Sequence, residues 1–560
     1  MSSKSRERPA GSVDAPIRAD LIAGLTIALV GLPQCLAYAM MSGLPPAYGI
    51  ATAAVPGLVA ALVGRSAQVV TGPTNTTGLL ILSALFPLLG ANGLIGPDGL
   101  PALATLTLLA GVTRLVVGYA GGETLLRFLP ESVLVGFTAG AGVLIATMQL
   151  DEALGLPPVR ETGLAGEFNA VASYLRDGTY PELPAVVVTA GLVVALLLGR
   201  RFLPRVPIAL VSLLAVSVGA WALALDQSTG VPLVGDRAPV PKGWPDAALP
   251  TLRLDLLHDF FVPALAITLL GSLELAVCAR ARGARPDMKR EILAQGWANI
   301  AGAFCGAFPA SASLTRSALL QFVGARTRLA AASAAIFVLP ILFIAAPSVA
   351  YIPQGALAGV LFVTAFGMVD RVAMSRMWRA SAATRSLVVA TFTSTLVLPL
   401  EWAILLGAGL GLVIHLARTS TPRVRLLTAE APDERIRPLG PEDEPRVVIV
   451  EVSGDLHYAA AEPFLAEVEH KLPSSARVVI MDLSHAHEMR FTALLALERF
   501  ASDLKRRDVR LHLAGVPKDV YDMLRATGSR LRAVPAEAEP YLSVRKCLAL
   551  EASEASQSDR

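Results

Sequence analysis

Two short runs of small and polar residues interrupt a chain that otherwise consists of membrane-length apolar segments. They are Gly72 to Leu80 (GPTNTTGLL) and Pro309 to Leu320 (PASASLTRSALL). The runs occupy matching places in two halves of the sequence: Asn75 lies 41 residues after Gln34, and Thr315 lies 41 residues after Glu274. Backbone released from helix hydrogen bonding is tolerated at membrane depth only where it lines a cavity or is buried in protein. A pair of such breaks in corresponding positions therefore points to a solute site between two repeats.

Composition supports a membrane setting. Charged residues make up 17% of the chain and hydrophobic residues 54%, against about 25% charged for soluble domains. Between Leu21 and Thr113 the charged side chains are Arg65 and Asp98 alone, whereas charge becomes dense beyond Thr419. The net charge of +3 is too small to imply a nucleic-acid partner. No Gly-rich phosphate loop or nucleophile elbow appears, so neither an enzyme nor a nucleotide cofactor is expected. Cys35, Cys278, Cys305 and Cys547 lack paired or metal-like spacing and read as small apolar residues. Residues 1–19 are polar, with Lys4, Arg6, Arg8 and Arg18, and lack the layout of a cleavable signal.

A transmembrane helix needs roughly 17–25 apolar residues. On that measure fourteen segments appear: about 20–41, 47–64, 73–89, 101–119, 129–150, 183–199 and 206–225, then 257–279, 291–308, 314–324, 328–347, 354–369, 383–399 and 401–418. The third and tenth are short. With the N-terminus inside, alternate connections hold the basic side chains (Arg65; Arg127; Arg200, Arg201 and Arg205; Arg280 to Arg290; Arg326 and Arg328; Arg371 to Arg385), as cytoplasmic loops should. The other connections are neutral or lean acidic. Both termini are then cytoplasmic, in a cell inner (plasma) membrane. Seven spans per half force the halves, 20–225 and 257–418, into an inverted repeat. GLPQCLAYA (31–39) lies over GSLELAVCA (271–279), and TNTTGLL (74–80) over LTRSALL (314–320), at one offset of 240.

Ionisable residues inside spans are functional candidates by default. Glu274 sits mid-segment and Arg316 at the start of the short tenth segment. If the two short segments are half-helices with facing N-termini, each presents unpaired N–H groups and about half a positive charge. Thr74, Asn75, Thr76 and Thr77 add neutral donors on one side, and Ser311, Ser313, Thr315 and Ser317 on the other. Arg316 adds a planar cationic fork suited to oxyanions. Glu274 is either the ion-pair partner of Arg316 or a coupling group. Arg114, near the end of its segment, is expected to snorkel to the surface, and Glu401 to sit at an outer hairpin corner. No metal site is expected; His485 and His487 read as surface residues.

After a Pro- and acid-rich stretch expected to be a linker (421–444), strand and helix alternate. RVVIVEVSGDL (446–456), RVVIMDLSH (477–485) and VRLHLAGV (509–516) read as strands. AAEPFLAEVEHKL (460–472), FTALLALERFASDLKRRD (491–508) and VPKDVYDMLRATG (516–528) read as helices. The pattern predicts a small α/β domain over 445–550, with a disordered tail at 551–560.

ADLIAGLTIALVGLPQCLAYAMMSGLPPAYGI (19–50) and GSLELAVCARARGARPDMKREILAQGWANIAGAFCGAFPASASLTRSALL (271–320) resemble signatures of the sulfate permease (SulP) anion transporters. The tail resembles a STAS domain. The resemblance implies an all-α polytopic transporter domain over 20–420, built as core and gate. It also implies a homodimer, elevator-type alternating access, and a possible cytoplasmic protein partner for the STAS domain. It places Gln34, Tyr38, Thr74, Thr315 and Arg316 at an anion site, beside the residue-level candidate Asn75, and puts Glu274 on the acidic position. Where sodium-coupled members carry a hydroxyl one turn after that acid, this chain has Cys278, which leans toward proton coupling or exchange. Thr492 keeps a hydroxyl where anti-sigma antagonists carry a phosphorylated serine, but the flanking acid and glycine are absent. The expected cargo is a small anion such as sulfate or bicarbonate. A C4-dicarboxylate is the close alternative and a nucleobase the remoter one; a signalling protein with a membrane anchor would not need fourteen spans.

Overall fold

The computed structural model describes residues 14–558, apart from 91, 122–129, 158–162, 179, 204–205, 224–230, 238–243, 281–286, 420–422, 430, 441–442, 457, 488 and 490. The chain folds as two compact units, Met1–Gly411 and Leu412–Arg560.

The first unit is helical. In the first half the helices are α1 (Asp14–Met41), α2 (Pro46–Val63), α3 (Asn75–Leu85), α4 (Leu100–Tyr119), α5 (Glu131–Thr147), α6 (Leu150–Leu154), α7 (Gly163–Arg176), α8 (Leu183–Phe202) and α9 (Ile208–Ala222). After the short α10 (Val234–Arg237) come α11 (Leu254–Arg280), α12 (Met288–Ala303), α13 (Leu314–Phe322), α14 (Leu329–Ala350), α15 (Gln354–Met368), α16 (Arg371–Ala380), α17 (Ala382–Val397) and α18 (Leu400–Thr419). All fourteen apolar segments are helical over most of their length. Among the described residues seven helices are long and apolar enough to cross a bilayer, and five further apolar helices are shorter. Apolar side chains such as Val187 (61%), Trp221 (63%) and Ile344 (81%) are exposed. That exposure would be a liability in water but suits contact with lipid.

Two groups of helices pack crosswise. In one, α4 lies on α12 and α2 on α14, with α1 against α14 and α2, and α11 against α4. In the other, α5 packs on α17 and α15, and α15 on α8. The second helix of each half therefore meets the fourth of the other, as a two-fold relation requires.

The axis is visible in the backbone. β1 (Thr71–Gly72) and β2 (Ser311–Ala312) precede the two short helices and pair antiparallel, Thr71 with Ala312 and Gly72 with Ser311. At the offset of 240, Thr71 corresponds to Ser311 and Gly72 to Ala312. Each residue thus pairs with the equivalent of its neighbour, which is the self-complementary pattern of a two-fold axis. The Ser313 amide donates to the Val70 carbonyl at 2.9 Å and extends the ladder.

The second unit holds a six-stranded sheet in the order β4-β3-β5-β6-β7-β8. The strands are β3 (Arg423–Thr428), β4 (Arg437–Pro438), β5 (Val447–Asp455), β6 (Val478–His487), β7 (Arg510–Val516) and β8 (Arg532–Pro535). β5 through β8 run parallel, and β3 pairs antiparallel with β5. α19 (Tyr458–Lys471), α20 (Phe491–Arg506) and α21 (Lys518–Ala526) bury Phe464, Leu497 and Leu524 on one face with Val448, Val450 and Val479. α22 (Leu542–Ser558) covers the other face, burying Val544 and Cys547 against Ile449 and Ile480. A parallel sheet covered on both faces explains the near-continuous Val/Ile runs of β5 and β6.

Two expectations need correction here. The stretch 421–444, expected as a linker, contains β3 and β4. The alternating RVRLLT run supplies a strand with Leu427 buried, and the Pro-rich remainder is its return to a short edge strand, where proline is tolerated. The expected disordered tail 551–560 is helical through Ser558, anchored by Glu551. That carboxylate accepts from Arg510 at 2.7 Å and pairs with the buried His512. Two residues of β7 thus hold the end of the chain.

Candidate functional site

The site grows from the two helix starts on either side of the β1–β2 pair. Thr74 is extended and caps α3, its Oγ accepting from the Thr77 amide. Ser313 caps α13 in the same way, accepting from the Arg316 amide. Asn75 Oδ1 accepts from the Thr76 amide at 3.0 Å. The amides of Asn75, Leu314 and Thr315 begin their helices with no preceding helical carbonyl to accept from them. Thr74 is buried, Asn75 half-buried and Thr315 exposed, with Thr315 Oγ1 3.4 Å from Ser313 Oγ. The two helix starts, including Thr74, Asn75 and Thr315, therefore come together where the spacing predicts.

The first helix supplies Gln34 and Tyr38, one turn apart. Tyr38 is 3% exposed. Gln34 is half-buried, and its Oε1 is buried without a partner among the described residues. An unpaired buried carbonyl is costly and calls for a donor such as water, which leaves Nε2 as the atom of Gln34 able to donate to an anion.

Glu274, on α11, is 2% exposed. Thr76 Oγ1 donates to its Oε1, and Ser311 Oγ donates to its Oε2 at 2.9 Å. One carboxylate therefore ties the first turn of α3 to β2. It does not pair with Arg316, so the ion-pair alternative is overturned.

Arg316 is 4% exposed and turns back into the protein. Its Nη2 donates to the Pro73 carbonyl at 2.6 Å and its Nη1 to Cys35 Sγ at 3.7 Å, while its Nε has no partner among the described residues. The guanidinium lies over Gly72, where a Cβ would come within 2.8 Å of Nη1 and 2.9 Å of Nη2. A side chain there would push the guanidinium aside. The arginine thus places its charge beside the start of α3 and cross-links the two arms.

The sequence misjudged Arg114. It does not snorkel: it is 1% exposed. Nη1 donates to the Ala310 carbonyl at 2.7 Å and to Gln295 Oε1 at 3.3 Å, and Nη2 to the Ile267 carbonyl at 3.3 Å. Gly271 makes room, since a Cβ there would fall 1.9 Å from Nη2. Gln295 Nε2 goes on to Thr71 Oγ1 at 2.5 Å, and Asn299 exchanges two bonds with Ala310. This polar girdle fixes β1 and β2 against α11, α12 and α4. Its one legible signal was a charge inside an apolar segment.

Glu401 accepts from Ser83 at 3.0 Å at a cavity of about 330 Å³ between the far end of α3, α5 and the α17–α18 corner. His485 is exposed; the side chain of His487 lies outside the described residues. Among the described residues no group of His, Cys, Asp and Glu is arranged to hold a metal.

The arrangement suits an anion: two positive helix ends, free amides, hydroxyls and a nearby guanidinium converge on one place. Comparisons with known proteins agree in kind. The model of the sulfate permease family matches residues 17–391, and that of the STAS domain residues 441–532. YvdB of Bacillus subtilis, named for sulfate transport, is 29% identical over 91% of this chain and 93% of its own. A murine Solute Carrier 26 family anion transporter solved in the inward-facing state has the same fold, with a TM-score of 0.84 at 18% identity over 97% of this chain and 93% of that one. The transmembrane domain of a cyanobacterial bicarbonate transporter matches at a TM-score of 0.58 and 21% identity, over 70% of this chain and 97% of that one.

Proposed function

The chain belongs to the sulfate permease family, and on that premise we propose that it carries small oxyanions, sulfate foremost, across the plasma membrane as a homodimer with both termini in the cytoplasm. The observation that carries this reading is the meeting of two helix starts across the β1–β2 pair. The anion rests between the amides of Asn75, Leu314 and Thr315, with Gln34 Nε2 and the hydroxyls of Tyr38 and Thr315 as further donors. Arg316 contributes charge from behind Pro73 rather than a direct fork. The names of the relatives favour sulfate or bicarbonate over a dicarboxylate or a nucleobase.

Transport follows an elevator path. The group containing α1 to α4 and α11 to α14 carries the site as one rigid body, held by the Arg114 and Glu274 girdle. It moves against the group built on α5, α8, α15 and α17. Fourteen spans in a seven-plus-seven inverted repeat give the two-fold needed for equivalent inward and outward states.

Glu274 couples the cycle to protons. It touches Thr76 and Ser311, one on each arm, so a proton arriving there changes the hydrogen bonding of both helix starts at once. A sodium ion is poorly served: each carboxylate oxygen already accepts from a hydroxyl, and Cys278 offers no oxygen one turn later. The test is uptake into proteoliposomes of a panel of labelled anions, with and without sodium and pH gradients. Sulfate or bicarbonate uptake driven by a pH gradient and indifferent to sodium supports the reading; absence of uptake for every oxyanion refutes it.

A further inference from the structure

We propose that α16 is a binding surface for the phosphate headgroups of anionic phospholipids. This ten-residue helix is set off from its neighbours. Asp370 caps its start, accepting from the Val372 and Ala373 amides at 3.0 and 2.8 Å, and one extended residue, Ser381, separates it from α17. It packs on α17 and α5 through the half-buried Ala373, Met374 and Met377.

The rest of its surface is open. Arg371, Arg376 and Arg379 are exposed, and none pairs with a carboxylate among the described residues. Asp370, the one acid between 370 and 385, is engaged by the helix amides. Arg385 adds a fourth cation and donates to the Trp378 carbonyl at 3.4 Å. Beside these charges lie Val372 (61% exposed) and Trp378 (54% exposed). An open groove of about 410 Å³ is lined by Val369, Arg371, Met374, Ser375, Trp378 and Arg379.

Unpaired arginine forks beside an exposed tryptophan and an apolar groove, directly after the apolar helix α15, match one occupant. The groove takes acyl chain, the tryptophan sits at headgroup level, and the guanidinium groups take phosphate oxygens. In the orientation proposed above, this is the cytoplasmic leaflet, where anionic lipids concentrate. α16 belongs to the group proposed to stay fixed, so headgroups held there anchor the body against which the site moves.

The test uses the full-length protein in phosphatidylcholine vesicles doped with brominated phosphatidylglycerol or brominated phosphatidylcholine, with W378F subtracted to isolate Trp378 fluorescence. Brominated phosphatidylglycerol should quench Trp378 more strongly at equal doping. The exposed-surface variant R371Q/R376Q/R379Q should lose that preference by about tenfold or more, and R371K/R376K/R379K should restore most of it. Equal quenching by the two lipids in the parent protein, or an undiminished preference in the glutamine variant, overturns the proposal. So does abolition of the preference by soluble glycerophosphate, which would assign the site to a free phosphate. The readout needs no flux, so it stands or falls separately from the transport reading.

Discussion

Removing the charge of Arg316 should alter selectivity by valence more than it alters folding. In Arg316→Gln the protein loses a charge-assisted bond to Pro73, 2.6 Å long, at a cost of about 1.5–3 kcal/mol. The arms remain tied by the β1–β2 pair, by Glu274 and by the Arg114 girdle, so the fold should survive. The effect on the anion is Coulombic. For an anion seated about 8 Å from the guanidinium, at an effective dielectric of about 20, one unit charge contributes about 2 kcal/mol to a monovalent anion and about 4 kcal/mol to a divalent one. Affinity should then fall about 30-fold for nitrate and about 1,000-fold for sulfate, a change in preference of about 30-fold. Proteoliposome uptake with competition between the two anions measures it directly. Arg316→Lys should retain most of the valence preference while losing the planar contact with Pro73. Equal losses for both valences, or no loss at all, would refute a role through charge.

Other perturbations separate the remaining parts of the account. Glu274→Gln should retain oxyanion binding but lose dependence on a pH gradient; a variant still driven by that gradient would make the carboxylate a structural tie alone. Arg114→Met removes three hydrogen bonds from a buried cation's place and should lower unfolding stability by about 3 kcal/mol, read by thermal denaturation in detergent; an unchanged midpoint would contradict the girdle. Gly271→Ala forces a methyl within 1.9 Å of the Arg114 guanidinium and should cost about 1–3 kcal/mol in the parent but much less in the Arg114→Met background. In the STAS unit, burial pushes the Cys547 thiol up to about 12, with Asp482 and Glu551 adding to it. A raised thiol stays protonated through neutral pH and gains thiolate only as the pH approaches that value, so maleimide labelling at pH 7–8 should await unfolding of α22; fast labelling of folded protein would contradict its packing.

The two-fold architecture was legible because it is written locally. Helix interruptions demand small and polar residues wherever they occur, so GPTNTTGLL and PASASLTRSALL exposed both breaks and their common offset. Apolar length disclosed the helices of the first unit, and Val/Ile runs disclosed β5 and β6. What failed to show depends on partners distant in the chain. The depth of Arg114 is set by Gly271 and by the carbonyls of Ile267 and Ala310, none of them near it in sequence. The inward turn of Arg316 depends on the bare backbone of Gly72. β3 draws its identity from pairing with β5, and the final helix from Glu551 meeting β7. α16 is too short and polar to read as a span, and its separation from α15 and α17 shows only once Asp370 and Ser381 cap the helix starts around it.

Whether the two helix starts share one anion between them can be read from a cryo-EM structure determined with selenate. An oxyanion should lie within hydrogen-bonding distance of the Asn75 and Thr315 amides, with the Gln34 side chain turned toward it. An oxyanion seated elsewhere in the membrane unit, with those amides left bare, would contradict that arrangement.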